Sequence, residues 1–514
     1  MAAIESKSLQ PVGNLVLAVA TGVRPQFLRQ VTYVGGSRER EVVREETGVR
    51  RVKRYLPASY LPAETDGLLG HVAFALKHEV PHLGLLSAAF RIVPAATVGA
   101  YIAASPTGAY AKRIGFLYEL LTGEDLAPFL RGATIGGNYT ELLDPVKLVT
   151  AEPRRASRWR VLDNLAGSRV YAPMIERTEA VERVLRHDWQ AEGAAALAVG
   201  KGDDALIRRA LNYLYLKETR SSFAIERETP SEARAARFVD ALKQAGAGST
   251  DDALSESNLS ELQNLIVDTR FAEKSFRRTQ NYVAATVRWK PVIHYVPPPP
   301  GALTGLMAGL ANAVARLGAT EPLAQAAVAS FGFVFHHPFE DGNGRLHRYL
   351  LHDFMTRSRV LPGGLALPVS AAILDDRRGY DDALEAYSKT VEAMVTYEMK
   401  GQDEMTVTNF DEAGWVWRYP DLTPQVEYLG RVLRRSVEMV AEEMAYLAQY
   451  DVLEKTARAI IDMPDRRLTE LLSQIHSNGG RLSNNKRKQR FPELLDEEVA
   501  KVESVYAEVF GLKK

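Results

Sequence analysis

After about Ala191 apolar residues recur at three- and four-residue spacing, with Ala, Leu, Arg and Glu abundant, and that period predicts helices. One runs from about Asp203 to Arg227, with Leu206, Ala210, Tyr213 and Leu214 on its core stripe. Thr229-Pro230-Ser231-Glu232 then reads as a new start, with Thr229 as N-cap, Pro230 at the first helical position and Glu232 completing a capping box. Before Ala191 the pattern is mixed: short apolar runs, turn signals and one clear helix through Ala109, Ile114, Leu117, Tyr118 and Leu121. Between Phe276 and Val296 the residues Tyr282, Val283, Thr286, Val287, Trp289, Val292, Ile293 and Tyr295 predict a β-hairpin turning at Lys290-Pro291. Pro297 to Pro300 must follow as an extended spacer, since each proline keeps its predecessor out of the α region. After Lys400 comes a polar break and then helices to the end, the longest over Val426 to Tyr450. The expectation is a predominantly α protein in three parts: a mixed α/β region at 1–185, a helical core at 186–400 and a C-terminal helical domain at 401–514.

Composition narrows the chemistry. Lys plus Arg equals Asp plus Glu at 64 each, so no global field draws in nucleic acid or an anionic membrane, and neither is expected as a partner. The chain has no cysteine, which excludes disulfides, thiolate catalysis and thiolate-bound metals, and fits a reducing cytoplasm. The apolar stretch Asn14 to Val23 reads as a strand or core helix, and the uncharged stretch Ile92 to Ala111, broken by Pro94 and Pro106, as a buried soluble segment and not a membrane span. The basic run at Lys486 to Arg490 reads as a solvated face. His336, His347 and His352 lie near His337, but no carboxylate stands at a recognised zinc spacing from them.

The chemistry concentrates in one loop. A helix expected from Thr320 as cap carries Ala324, Ala327, Val328, Phe331, Phe333 and Phe335, and Pro338 ends it at His337. Helical spacing resumes at Arg345, so Gly342-Asn343-Gly344 is a tight loop delivered onto a second helix N-terminus. Such a terminus offers unpaired N–H groups and the positive end of the helix dipole, and the glycines let an anion approach the backbone. Arg345 and Arg348 share a face of that helix and add two guanidinium forks suited to phosphate. Asp341 supplies a hard oxygen beside them, as Mg²⁺ sites shared with phosphates require, and His337 can take a proton near neutral pH. A plain glycine connector needs none of these groups at these offsets.

His337-Pro338-Phe339-Glu340-Asp341-Gly342-Asn343-Gly344-Arg345-Leu346-His347-Arg348 resembles the Fic-family signature HxFx(D/E)GNGRxxR, and similarity extends through Arg277 to Val283, Tyr295 to Pro300 and Leu303 to Leu310. The resemblance implies a Fic-type helical core with a β-hairpin flap, and a transfer of AMP from ATP to a Tyr, Thr or Ser hydroxyl of a target protein or of the chain itself. It assigns His337 as base, Asp341 as Mg²⁺ ligand, Asn343, Gly344 and Arg345 to the anion hole, Gly342 to nucleotide binding beside them, Arg348 to the γ-phosphate and Phe339 to the loop's anchor. Tyr282, Val283, Thr286, Ile293 and Tyr295 fall on the family's target-clamping flap.

Ser221-Ser222-Phe223-Ala224-Ile225-Glu226 resembles the family's inhibitory helix, (S/T)xxxE(G/N), with Ser222 and Glu226 one turn apart and Glu226 expected to pair with Arg348. Arg227 stands where the family has Gly or Asn. Two other readings stay open: the same fold removing AMP or transferring another phosphate-containing group, and a regulatory module in which the loop senses nucleotide while the C-terminal helices bind DNA or a protein. The target's identity and a homodimeric state are also left open.

Overall fold

The computed structural model describes residues 9–511 apart from 47–48, 200–202, 289, 319 and 402–403. Strand β1 (Gln10–Val12) turns at Gly13, whose φ of +59° favours glycine, into helix α1 (Asn14–Ala20). With β2 (Gln30–Gly36), β3 (Arg40–Glu46) and β4 (Val49–Pro57) it builds a four-stranded sheet of order β1-β2-β4-β3, in which β2 and β4 run parallel and the other neighbours antiparallel. Helices α2 (Gly67–His78), α3 (Leu83–Ile92), α4 (Ala95–Ala104) and α5 (Ala109–Thr122) follow. Only α5 stands out in the sequence pattern, because α3 and α4 are short, largely apolar and bent by 107° at Val93-Pro94. Among the described residues no single helix is long and apolar enough to cross a membrane. A small sheet of β5 (Thr140–Glu141), β6 (Arg154–Ala156) and β7 (Val161–Asp163) closes this part.

From there the chain is almost wholly helical: α6 (Glu179–Arg186), α7 (Trp189–Ala198), α8 (Asp204–Ile225), α9 (Glu232–Lys243) and α10 (Glu256–Ile266) precede a hairpin of β8 (Val283–Val287) and β9 (Lys290–Tyr295). Helices α11 (Pro300–Leu317), α12 (Pro322–His336) and α13 (Asn343–Arg357) come next, then α14 (Val369–Asp375), α15 (Arg377–Met394), a hairpin of β10 (Tyr397–Lys400) and β11 (Glu404–Val407), and the short α16 (Phe410–Ala413) and α17 (Trp415–Arg418). The 38-residue α18 (Thr423–Ile460) leads to α19 (Asp465–Ser477), α20 (Asn484–Arg490) and α21 (Asp496–Val509). The protein is predominantly α.

One connected apolar core takes side chains from Leu17 to Met444, and a second gathers Leu453, Leu468, Leu472, Phe491 and Tyr506 from the last helices. Tyr171, from the N-terminal part, stacks edge-on against His336 at 5.0 Å, directly behind the loop singled out above.

Three local expectations are corrected. Ser231, not Thr229, caps α9: its hydroxyl accepts from Arg234 N at 3.3 Å, and the helix starts at Glu232. Thr320 does not cap α12; Pro322 occupies the first helical position and sets the start, while the Thr320 hydroxyl bonds Leu317 O and Thr150 O. Lys290 and Pro291 belong to β9, because Val287 pairs with Lys290 and the chain already turns at Arg288, whose φ is +49°. Trp289 lies outside the described residues.

Candidate functional site

Helix α12 is apolar on nearly every face, from Leu323 to Phe335, so its C-terminal end is delivered deep into the protein. It stops at His337, whose N–H reaches Phe333 O at 3.0 Å and whose φ of +48° turns the chain left-handed. Pro338 disfavours the right-handed helical region at His337, and the left-handed turn is the way out. Phe339 then plugs the loop into the core, fully buried between Phe276 and Phe333. Asn343 clips the loop shut from both sides, accepting from Phe339 N at 3.0 Å and donating to Phe339 O at 2.7 Å. Gly342, at φ +92°, is the N-cap of α13, and a Cβ there would meet Val267 at 3.0 Å.

The first-turn N–H groups of α13 have no partner in a preceding turn. Next to them lies the Glu226 carboxylate, its Oε1 2.3 Å from where a Cβ on Gly344 would stand, so only glycine fits at 344 with Glu226 in place. Arg348, 1% exposed, donates to Ser222 Oγ at 3.0 Å, to Ser222 O at 2.8 Å and to Glu226 Oε1 at 2.9 Å. Arg345, equally buried, donates to Asp341 Oδ1 at 2.8 Å and to Glu228 Oε2 at 3.0 Å, with its guanidinium over the Phe223 ring. Desolvation pushes the Glu226 carboxyl up, but the Arg348 charge and hydrogen bond, with Arg345 and Arg377 beyond, bring it below its ordinary value.

His337 Nδ1 lies 3.1 Å from Asn281 Nδ2 and 3.2 Å from Asn343 Nδ2. Burial chiefly, and the Arg277 charge second, lower its pKa to about 4 against the opposing pull of Glu226 and Asp341. The imidazole is therefore neutral at pH 7. His336, pushed down to about 3 by burial, and His347, which meets the Ser330 hydroxyl at 2.7 Å, sit inside the core.

Asp341 keeps about half of its side chain exposed (48%), with Oδ1 engaged by Gly342 N and Arg345. Among the described residues no group of three or more His, Asp or Glu is placed to hold a metal ion. The donor set fits a hard cation such as Mg²⁺ only if the cation's other ligands are substrate phosphates and water.

The hairpin is less uniform than its sequence suggests. Val283 is exposed, Tyr282 and Ile293 are half-buried, and Thr286 lies on β8. Tyr295 is buried and its hydroxyl donates to Phe335 O, which makes it the hairpin's footing on α12. Two residues given no role from the sequence complete the site. Arg277, 4% exposed, donates to the carbonyls of His337 (2.9 Å), Thr279 (2.8 Å) and Pro298 (2.6 Å), and Asn281 touches the imidazole itself. Both fall inside the Arg277 to Val283 segment, so a signal was present without a residue-level reason.

Residues 253–355 match the model of the Fic/DOC family. The chain carries a Fic domain. A curated relative, "Protein adenylyltransferase Fic" of Culex quinquefasciatus, is 38% identical over 90 residues, and the match spans 17% of this chain and 16% of that relative's length. Solved Fic structures are also similar. A Fic family protein from Desulfovibrio desulfuricans G20 is 19% identical over 66% of this chain and 85% of its own, at a TM-score of 0.34. A Fic domain containing signaling protein from Bacteroides thetaiotaomicron VPI-5482 is 20% identical over 52% and 97%, at 0.35.

Just outside the Fic domain's matched span, α8 ends in a Schellman turn: Glu228 N reaches Phe223 O at 3.0 Å and Arg227 N reaches Ala224 O at 3.0 Å, with Arg227 at φ +58°. That left-handed conformation costs an L-residue roughly 1–2 kcal/mol, and glycine's larger chain entropy gives back roughly half of the gain. Arg227→Gly is thus expected to favour this helix end by about 0.5–1 kcal/mol. Amide hydrogen exchange at the end of α8 should therefore slow roughly two- to fivefold in Arg227→Gly. An unchanged or higher rate would contradict it.

Proposed function

We propose that this chain is a protein adenylyltransferase that moves AMP from ATP to a Tyr, Thr or Ser hydroxyl of a target protein, and of itself, and is held back by Glu226. The observation that carries the reading is a neutral His337 beside a helix N-terminus that is flanked by two buried arginines, inside a Fic domain. His337 takes the target hydroxyl's proton as its oxygen bonds the α-phosphorus; the bond to the β-phosphate bridging oxygen breaks, and pyrophosphate leaves. The first-turn N–H groups of Asn343, Gly344 and Arg345, with the Arg345 guanidinium, hold phosphate oxygens beside the Gly342 cap, and Arg348 takes the γ-phosphate once Glu226 has left it. Asp341 would hold Mg²⁺, which when bound neutralises charge on the phosphates. A target segment adds along the β8–β9 hairpin through Tyr282, Val283, Thr286 and Ile293, with Tyr295 as its anchor.

The test is incubation of the full chain, and of Glu226→Gly, with ATP, UTP, GTP or CTP and Mg²⁺, followed by intact mass measurement. A gain of one AMP from ATP supports the reading. A gain of another group, or none in either protein, would replace it with a different transfer or with nucleotide sensing.

A further inference from the structure

The Schellman turn places two carboxylates, not one, on the nucleotide seat. Reversal of the chain at Arg227 sends Glu226 to Arg348 and Glu228 to Arg345, so both arginines of the Fic loop are met from the same helix end. Glu228 Oε2 lies 3.0 Å from Arg345 and also 3.0 Å from Arg234, which is fixed on α9 by donating to Ile266 O at 3.2 Å. The two guanidinium groups both lie over Phe223, at 4.9 Å for Arg234 and 5.2 Å for Arg345, and Phe223 is fully buried.

We infer that Glu228 is a second latch: it covers Arg345 while Glu226 covers Arg348, so the segment keeps a nucleotide's polyphosphate off both arginines at once. The inference rests on the phosphate-seat reading above and extends its regulation. The competing role for Glu228 is to orient Arg345 for substrate. Orientation has other sources: the guanidinium lies over the Phe223 ring and Asp341 holds one of its ends. What Glu228 adds is neutralisation of a buried charge. It also has somewhere to go, since Arg234 can keep the carboxylate when phosphate takes Arg345. Removal of Glu226 alone leaves Arg345 covered by Glu228 and Asp341, and the seat half closed.

The two roles predict opposite signs. Calorimetric titration of the full chain with ATP and Mg²⁺, and separately with inorganic tripolyphosphate, would compare wild type, Glu228→Gln, Glu226→Gly and the double variant. Glu228→Gln is nearly isosteric and its side chain is about a third exposed (35%), so folding is retained. The latch predicts roughly two- to fivefold tighter binding of both probes by Glu228→Gln, and a similar further gain of the double variant over Glu226→Gly. Arg234→Met, which removes the alternative partner, should weaken binding. Unchanged or weaker binding by Glu228→Gln in both backgrounds overturns the latch while leaving the adenylyltransferase reading intact. Tighter tripolyphosphate binding in a chain that never gains AMP keeps the latch and discards the transferase. No binding of either probe by any variant discards both.

Discussion

His337→Ala is expected to reduce AMP transfer by roughly a hundredfold or more, the usual worth of a positioned general base, while ATP affinity stays within about twofold. The imidazole is neutral at neutral pH, and the nucleotide's contacts are expected on the neighbouring turn. The substitution is best read in the Glu226→Gly background, where transfer should be fast enough to quantify. The pH profile gives an independent check. A base is competent above its own pKa, and burial has lowered that of His337 to about 4. Removing Glu226 also takes away a charge that raises it. Transfer should therefore remain level from pH 8 to about pH 5 and fall only below, instead of declining through the ordinary histidine value near 6.5. Retained transfer by the alanine variant would remove His337 as the base, and an acid limb centred near 6.5 would show that the ring is solvated in the active form.

Glu226→Gly should raise self-modification roughly tenfold or more, within the usual span of coupling between an effector contact and a site. It uncovers Arg348 and clears the space over Gly344, where the carboxylate oxygen now stands. The gain carries a structural cost. Arg348 is 1% exposed, and without Glu226 its charge loses its carboxylate partner while the hydroxyl and carbonyl of Ser222 remain, a situation that destabilises folded proteins. The ligand-free variant should therefore melt below wild type, and ATP with Mg²⁺ should raise its melting temperature by more than it raises that of wild type. Equal labelling of the two proteins at saturating ATP would remove the brake from the proposal, whatever the melting curves show.

The loop was readable in advance because its determinants are local. Pro338 stops one helix and Gly342 starts the next within five residues, so the turn that carries His337 and Asp341 is set by neighbouring residues, and Arg277 and Asn281 then hold it in place. The pairing of Arg348 with Ser222 and Glu226, 122 to 126 residues apart, came from the resemblance, since no periodicity carries it. Where the sequence reading failed, neighbours competed for one role. Thr229 and Ser231 are both good caps, and the structure uses the one next to the helix. At the hairpin, proline drew attention to Lys290-Pro291, although strand register placed the reversal one pair earlier. The segment holding Arg277 and Asn281 was singled out, but their roles were not readable for a different reason: a buried guanidinium bonding three carbonyls has the same local signature as one in solvent.

Arg277 also ties together parts of the molecule that are separate in the chain. One planar group grips the peptide that carries the imidazole, the stem leading into the hairpin and the proline segment ahead of α11. On the proposed reading, a strand drawn onto the hairpin would load a joint shared with His337, so docking of a target and alignment of the imidazole would be mechanically coupled.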